Sequence, residues 1–253
     1  MKPKLSVCIV ANKLNDLLEE VLHSFAHTDF ELCLGFNGNK DENLASIQQQ
    51  FPFLKIVQLE WIGYGPTKNK LAENASCDWI LSIDSDEIAN LELTTSLKQI
   101  SLENDNVVYS LKRQQRIGKH EINNGSYGTP EWKIRLYNKQ FSSWNNEIVH
   151  EELNLPKTCI QHKLEGILWH LTASNLAEIR EKNNHYAQLS AENMLAKGKT
   201  VSAIKPLLSG TMAFIKQYFI KKGILDGKIG FQLASEIARY TSLKYSIARK
   251  LKK

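Results

Sequence analysis

The stretch Trp79–Ile88, "WILSIDSDEI", decides how this chain is read. A largely apolar run ends abruptly in Asp84, Ser85, Asp86 and Glu87, so three carboxylates arrive within four residues. Carboxylates this close repel, and each raises the pKa of the others. Something positive is expected there, and a hard divalent cation, Mg²⁺ or Mn²⁺, is the simplest candidate. Such ions take oxygen ligands and share the rest of their shell with phosphates. An Asp-x-Asp at a strand end lets one carboxylate face the cation and the other a neighbouring hydroxyl. An EF-hand is excluded, because "DSDEIANLELTT" lacks the required glycine.

The residues before this stretch alternate regularly. "LSVCIVA" (5–11), "FELCLGFN" (30–37), "LKIVQLE" (54–60) and "DWILSI" (78–83) read as strands. Between the first two, Leu14, Leu17, Leu18, Val21, Leu22 and Phe25 share one helical face. "ENLASIQQQF" is a second helix, and the loop "WIGYGPT" leads into a third, "KNKLAENAS", with Pro66 near its start. Strands alternating with amphipathic helices imply an α/β fold with a mainly parallel sheet. Ligands of such sheets bind beyond the carboxyl ends of the strands. Asn37 and the acidic cluster both fall there.

The middle of the chain changes character. "NVVYSLKRQ" and "WKIRLYN" read as strands around a long loop, "IGKHEINNGSYGTPE", of the kind that often binds ligands. From Asn175 the pattern is helical, with Asn175 and Glu178 at cap spacing. The expected domains are therefore 1–173 and a helical extension, 174–253.

Charge separates these regions. Residues 197–253 carry 13 Lys and Arg against 2 Asp and Glu, a net of +11, and the remainder nets −6. A basic, aromatic-studded helical tail suits an anionic membrane surface. The competing reading is a packed helical subdomain with solvated lysines. Nucleic acid is disfavoured, since no groove-reading motif is visible. Cys8, Cys33, Cys77 and Cys159 show no C-x-x-C spacing, which favours a reducing compartment. No apolar run is long enough to span a bilayer, and the N-terminal run reads as a strand rather than a leader. The expectation is a cytoplasmic protein, peripheral on the inner face of the cytoplasmic membrane.

The segments "LSVCIVANKLNDLLEEVLHS", "WIGYGPTKNKLAENASCDWILSIDSDEI", "PEWKIRLYNKQF" and "NEIVHEEL" carry a resemblance. So do "HYAQLSAENMLAKGK" and "FIKQYFIKKGILDGKIGFQLA" in the tail. The chain resembles family 2 inverting glycosyltransferases of the GT-A fold, and within them the lipopolysaccharide-core glucosyltransferases. The resemblance implies transfer of a hexose, from UDP-glucose, to a saccharide or lipid-linked saccharide acceptor of the lipopolysaccharide core. It implies that Asp86 coordinates the metal and that Asp84 touches the ribose, the sugar or the metal. Lys68 would reach the base or phosphates, Asn69 would support its loop, and Ala11 would offer backbone contacts. Asn37 stands where the family usually has a base-reading aspartate.

An inverting displacement needs a general base. Glu151 is the first candidate, from its H-E pair, and Glu131 the second. His150 is expected to orient Glu151 or touch phosphate, and His170 to be a late metal or diphosphate ligand. Trp132 and Arg135 are assigned to the acceptor or its phosphate. Trp61 is a further stacking candidate. Two alternatives remain at this point: a sugar nucleotidyltransferase, which lacks its glycine-rich loop here, and a non-catalytic membrane-docking scaffold.

Overall fold

The structure is a computed structural model that describes residues 4–39, 44–147 and 151–251. The chain packs as two compact units. One comprises Met1–Arg113 and Glu131–His170, the other Gln114–Pro130 and Leu171–Lys253.

The first unit begins with the expected alternation: β1 (Ser6–Ala11), α1 (Asp16–Phe25), β2 (Glu31–Phe36), α2 (Leu44–Gln50), β3 (Leu54–Gln58), α3 (Tyr64–Asn74) and β4 (Trp79–Asp84). The strands lie in the order β3-β2-β1-β4, with every pairing among them parallel. Helices joining parallel strands must cover the sheet faces, so these strands read as apolar runs rather than alternating ones. Helix α1 buries Leu18, Val21, Leu22 and Phe25. It is capped by Asn15, whose Oδ1 accepts from the Leu18 N–H at 2.9 Å. Helix α3 starts at Tyr64, earlier than expected. Gly63, at φ 107°, turns the chain into it, and Pro66 falls in the first turn, where a missing N–H costs nothing.

The strand order reverses direction at β1, which opens a crevice at the carboxyl edge. Val10 pairs with Asp84, and Ala11 with Phe36. The Asn37 N–H donates to the Ala11 carbonyl at 3.0 Å. Ala11, Asn37 and Asp84 therefore share one rim.

Two elements after the acidic cluster were not anticipated: β5 (Glu87–Ala89) and α4 (Leu91–Gln99). The helix had a legible signal, Asn90 as cap with Glu92 in the first turn. Then follow β6 (Val107–Ile117), β7 (His120–Glu121), β8 (Glu131–Asn138), β9 (Ser143–Trp144), β10 (Leu153–Asn154) and β11 (Ile160–Ala173). The sheet continues as β4-β8-β6-β11-β5. Pairings β4–β8, β6–β8 and β5–β11 are antiparallel. The sheet is thus parallel through β4 and antiparallel in these pairings beyond it. Strand β11 passes over the start of α4 at Gly166, whose φ is +96°. A Cβ there would stand 2.2 Å from the Leu93 nitrogen. Asn90 Oδ1 accepts from both Leu93 and Ile167, at 2.9 Å each, and locks this crossing.

The second unit contains α5 (Leu176–Ala196), α6 (Lys205–Ile215) and α7 (Gly227–Leu251). A π turn at Lys216–Ile220 and a 3₁₀ turn at Gly223–Asp226 join the last two. The expected cap of α5 forms, with Asn175 Oδ1 accepting from the Glu178 N–H at 3.1 Å. The glycine-bearing loop expected to bind ligand has a structural task here. Asn124 donates from N and Nδ2 to the Asp226 carboxylate at 2.9 and 2.8 Å. Ser126 N–H donates to Gln217 Oε1 at 2.8 Å, and Gly125 N–H to the Lys221 carbonyl at 2.8 Å. Beneath it, Ile117, Ile122, Ala173, Ile179 and Leu233 form a small core. A division at 173/174 would part this loop from the helices it clasps. No helix among the described residues is long and apolar enough to cross a membrane.

Candidate active site

A cavity of about 590 Å³ opens in the first unit at the rim of β1, β2 and β4. Ala11, Asn12 and Asn37 form one side, Asp84, Ser85 and Asp86 another. Trp61, Tyr64 and Lys68 come from the start of α3, and Glu151 and His170 close the wall.

The acidic cluster is answered mostly by the chain's own cations. Asp84 spends both oxygens: Oδ1 lies 2.9 Å from Lys68 Nζ, and Oδ2 lies 2.6 Å from Arg135 Nη2. Glu87 is fully buried. Its Oε1 lies 2.5 Å from Arg135 and 3.4 Å from Arg113, and its Oε2 accepts from the Asp84 N–H at 3.1 Å. Sheet register makes these meetings. Leu81 pairs with Leu136, which brings Arg135 alongside the end of β4, and His170 pairs with Glu87. Burial alone would raise the Asp84 carboxyl, but the charges of Arg135 and Lys68 outweigh it and hold it well below the usual carboxylate range. Burial disfavours the Arg135 guanidinium, yet Glu87 and Asp84 fix its proton more firmly than in water. The positive charge expected from sequence is thus supplied by side chains at two of the three carboxylates, Asp84 and Glu87, and the third stands apart from them.

That carboxylate is Asp86. It is 40% exposed, and its Oδ2 lies 3.3 Å from His170 Nε2. No group of three or more His, Cys, Asp or Glu is disposed as a metal cage among the described residues.

Lys68 is nearly buried and also bonds Glu151 Oε1 at 3.0 Å. Its ammonium lies 4.6 Å from the centre of the Trp144 ring, a cation–π contact. Asn69 supports this arrangement from behind. It donates to the Trp144 carbonyl at 2.8 Å and accepts from the Trp144 N–H at 2.9 Å, and it does not line the cavity. Asn37 Oδ1 is buried and has no hydrogen-bond partner among the described residues.

A second cavity, about 550 Å³, shares Asp84 and Glu151 with the first. Its other walls include Arg113, Trp132, Lys133 and Arg135. Lys163 Nζ sits 4.6 Å from the Trp132 ring centre. Glu131 does not line either cavity. It is held by Arg113 at 2.8 Å and Lys133 at 3.4 Å. Burial raises its carboxyl, but these two cations outweigh that and leave it below the ordinary range, which suits an ion-pair partner better than a base. His150 lies outside the described residues. Sequence reasoning missed Glu87 as the buried anchor of Arg135 and gave Arg113 no role. The signal for Glu87 was its place beside a buried strand end.

The model of the family described as "Glycosyl transferase family 2" matches residues 6–153, and the chain belongs to that family. Its fold is of the GT-A type, an α/β core followed by a helical extension, as the resemblance implied. An uncharacterized glycosyltransferase of Rickettsia typhi is 25% identical over 186 residues, covering 70% of this chain and 64% of the relative. One from Rickettsia prowazekii is 24% identical over 238 residues, 90% of this chain and 80% of the relative. The lipopolysaccharide core biosynthesis glycosyltransferase LpsC of Rhizobium meliloti is 23% identical over 198 residues, 75% of this chain and 71% of LpsC. Among solved structures, S. aureus TarS 1-349 aligns over 98% of this chain and 92% of that one, with 16% identity and a TM-score of 0.43.

Proposed function

We propose that this chain transfers a hexose, with inversion, from a uridine diphosphate sugar to a saccharide acceptor. Glucose and a lipopolysaccharide-core acceptor on an anionic membrane are the specific forms proposed. The observation that carries this reading is the pair of cavities that meet at Asp84 and Glu151. A donor in the first and an acceptor in the second would meet at a carboxylate.

In this reading the first cavity takes the nucleotide. Asn37 Oδ1, buried with no partner among the described residues, accepts the N3–H of uracil. Lys68 and Arg135 hold Asp84 rigid and ionised for the ribose or sugar hydroxyls. Asp86 and His170 fit a divalent cation. Their donor atoms are 3.3 Å apart, close to the roughly 3 Å that separates neighbouring ligands of an octahedral ion with bonds of about 2.1 Å. Diphosphate oxygens and water would complete the shell. Mg²⁺ or Mn²⁺ bound there would neutralise charge developing on the leaving diphosphate.

In the second cavity Trp132 offers an aromatic face to a sugar ring. The acceptor hydroxyl loses its proton to Glu151 as its oxygen bonds to C1. The bond between C1 and the diphosphate oxygen breaks, and the nucleoside diphosphate leaves from the opposite face. Lys68 keeps Glu151 oriented before the reaction.

Thermal unfolding with Mn²⁺ and each of UDP, GDP, dTDP and CMP tests this reading. A ligand at a hundred times its Kd adds about 2.7 kcal/mol, or about 5–11 °C at roughly 2–4 °C per kcal/mol for a chain of this size. The expected result is a shift with UDP and metal that Asp86→Ala abolishes. No shift with any nucleotide would overturn the proposal.

A further inference from the structure

Helix α6 and the turns after it present large apolar side chains to solvent. Ile204, Leu207, Leu208, Met212, Ile215 and Phe219 are all exposed and recur along one helical face. Ile220 and Leu225, each 69% exposed, carry the stripe into the turn. The opposite face is the packed one. Gly210 is buried, and a Cβ there would stand 3.2 Å from the Ala238 carbonyl of α7. Apolar surface of this extent marks an interaction site.

The stripe is displayed on a fixed support. Gln217 and Asp226, on the two turns, are bonded to Ser126 and Asn124 of the glycine-bearing loop. The backbone beneath the apolar side chains is therefore held from within.

Charge identifies the occupant. Lys205, Lys216, Lys221, Lys222 and Lys228 flank the apolar residues. Asp226 is the only acid between Lys205 and Lys228, and both its oxygens accept from Asn124. Arg249 and Lys250 line a hollow with Pro206 at the start of α6. Apolar side chains interspersed with lysines along this segment match an anionic bilayer. Acyl chains would take the stripe, and headgroup phosphates the ammonium groups, with lysine stems lying along the apolar boundary.

We propose that residues 204–231 form an interfacial wedge that inserts its apolar stripe into an anionic phospholipid bilayer. This rests on the anionic membrane partner proposed above, but not on the transfer reaction. The wedge makes docking partly hydrophobic, where the sequence alone suggested a basic tail held by charge.

The test is co-sedimentation of the full chain with phosphatidylcholine vesicles, with and without about one third phosphatidylglycerol. The wild type is expected to bind the anionic vesicles and to remain partly bound at about 0.5 M salt, where the Debye length is about 4 Å. The combined variant Leu207→Gln, Leu208→Gln, Ile220→Gln, Leu225→Gln is expected to lose binding by more than about tenfold at either salt. A second variant, Phe219→Trp, is expected to show indole fluorescence quenched by brominated acyl chains. Unchanged binding by the glutamine variant, or no quenching, would overturn the proposal. So would a solution dimer that the same glutamines dissolve, since the stripe would then face a second copy. The UDP thermal shift, read on the same variants without vesicles, reports separately on folding and the donor site.

Discussion

The Lys68 ammonium lies 3.0 Å from Glu151 Oε1, although the two residues are 83 positions apart. The same nitrogen lies 2.9 Å from Asp84, so one buried lysine bridges the candidate base and the strand-end carboxylate. Glu151→Gln keeps the shape and removes the proton acceptor. Its kcat is expected to fall by about 10²–10⁴ while UDP affinity stays near wild type. Turnover within tenfold of wild type would place the base elsewhere.

Asp86 and His170 form the proposed metal pair. Asp86→Asn and His170→Gln are each expected to weaken Mn²⁺ binding in the presence of UDP. The loss should be at least the roughly tenfold that even an outer-shell partner is worth. Electron paramagnetic resonance of free Mn²⁺ measures this without turnover. Chelation by EDTA is expected to remove activity, and added Mn²⁺ to restore it.

Arg135 neutralises two carboxylates, Asp84 and the fully buried Glu87. Arg135→Gln is expected to cost about 3–5 kcal/mol at pH 7, the usual cost of breaking a buried pair from one side. The pH dependence follows from the lowered Asp84 carboxyl. A group lowered in the folded state stabilises above its unfolded pKa, about 3.9, and that stability is lost as pH falls toward the folded value. The gap between wild type and Arg135→Gln should therefore narrow below about pH 4. Urea unfolding from pH 7 to pH 3 checks this, and a gap that stays constant would contradict it.

Asn37 Oδ1 is a buried acceptor with no donor among the described residues. Uracil carries an N3–H, and cytosine does not. Asn37→Ala is expected to reduce the preference for UDP over CDP by about 1 kcal/mol, roughly fivefold. Calorimetric titration of both nucleotides measures it, and an undiminished preference would show that the base is read elsewhere.

The first four strands were legible because parallel, doubly covered strands leave continuous apolar runs, and their helices leave a clear face. The later strands were harder. Their order, with β8 between β4 and β6, depends on pairings that no local pattern encodes. The site was legible as residue types: Asn37, Lys68, Asp84, Asp86, Glu151 and His170 all line one cavity. Their partnerships were not. The sequence shows three carboxylates within four residues but cannot show that Arg135 and Lys68, 51 and 16 positions away, supply the countercharge of Asp84. Glu131 shows the converse, since the β6–β8 register sets it opposite Arg113 and turns a candidate base into an ion-pair partner.

The clasp between Asn124 and Asp226 bears on how this chain can be divided and recombined. A stop placed after residue 173 would leave Ile117 and Ile122 without the Leu233 side chain they pack beside, and Asn124 without its acceptor. The tail is accordingly woven into the chain rather than appended to it. Grafting it onto another catalytic core would require transplanting the loop 114–130 as well, and a chimaera made at a single junction should aggregate where one made at both should fold.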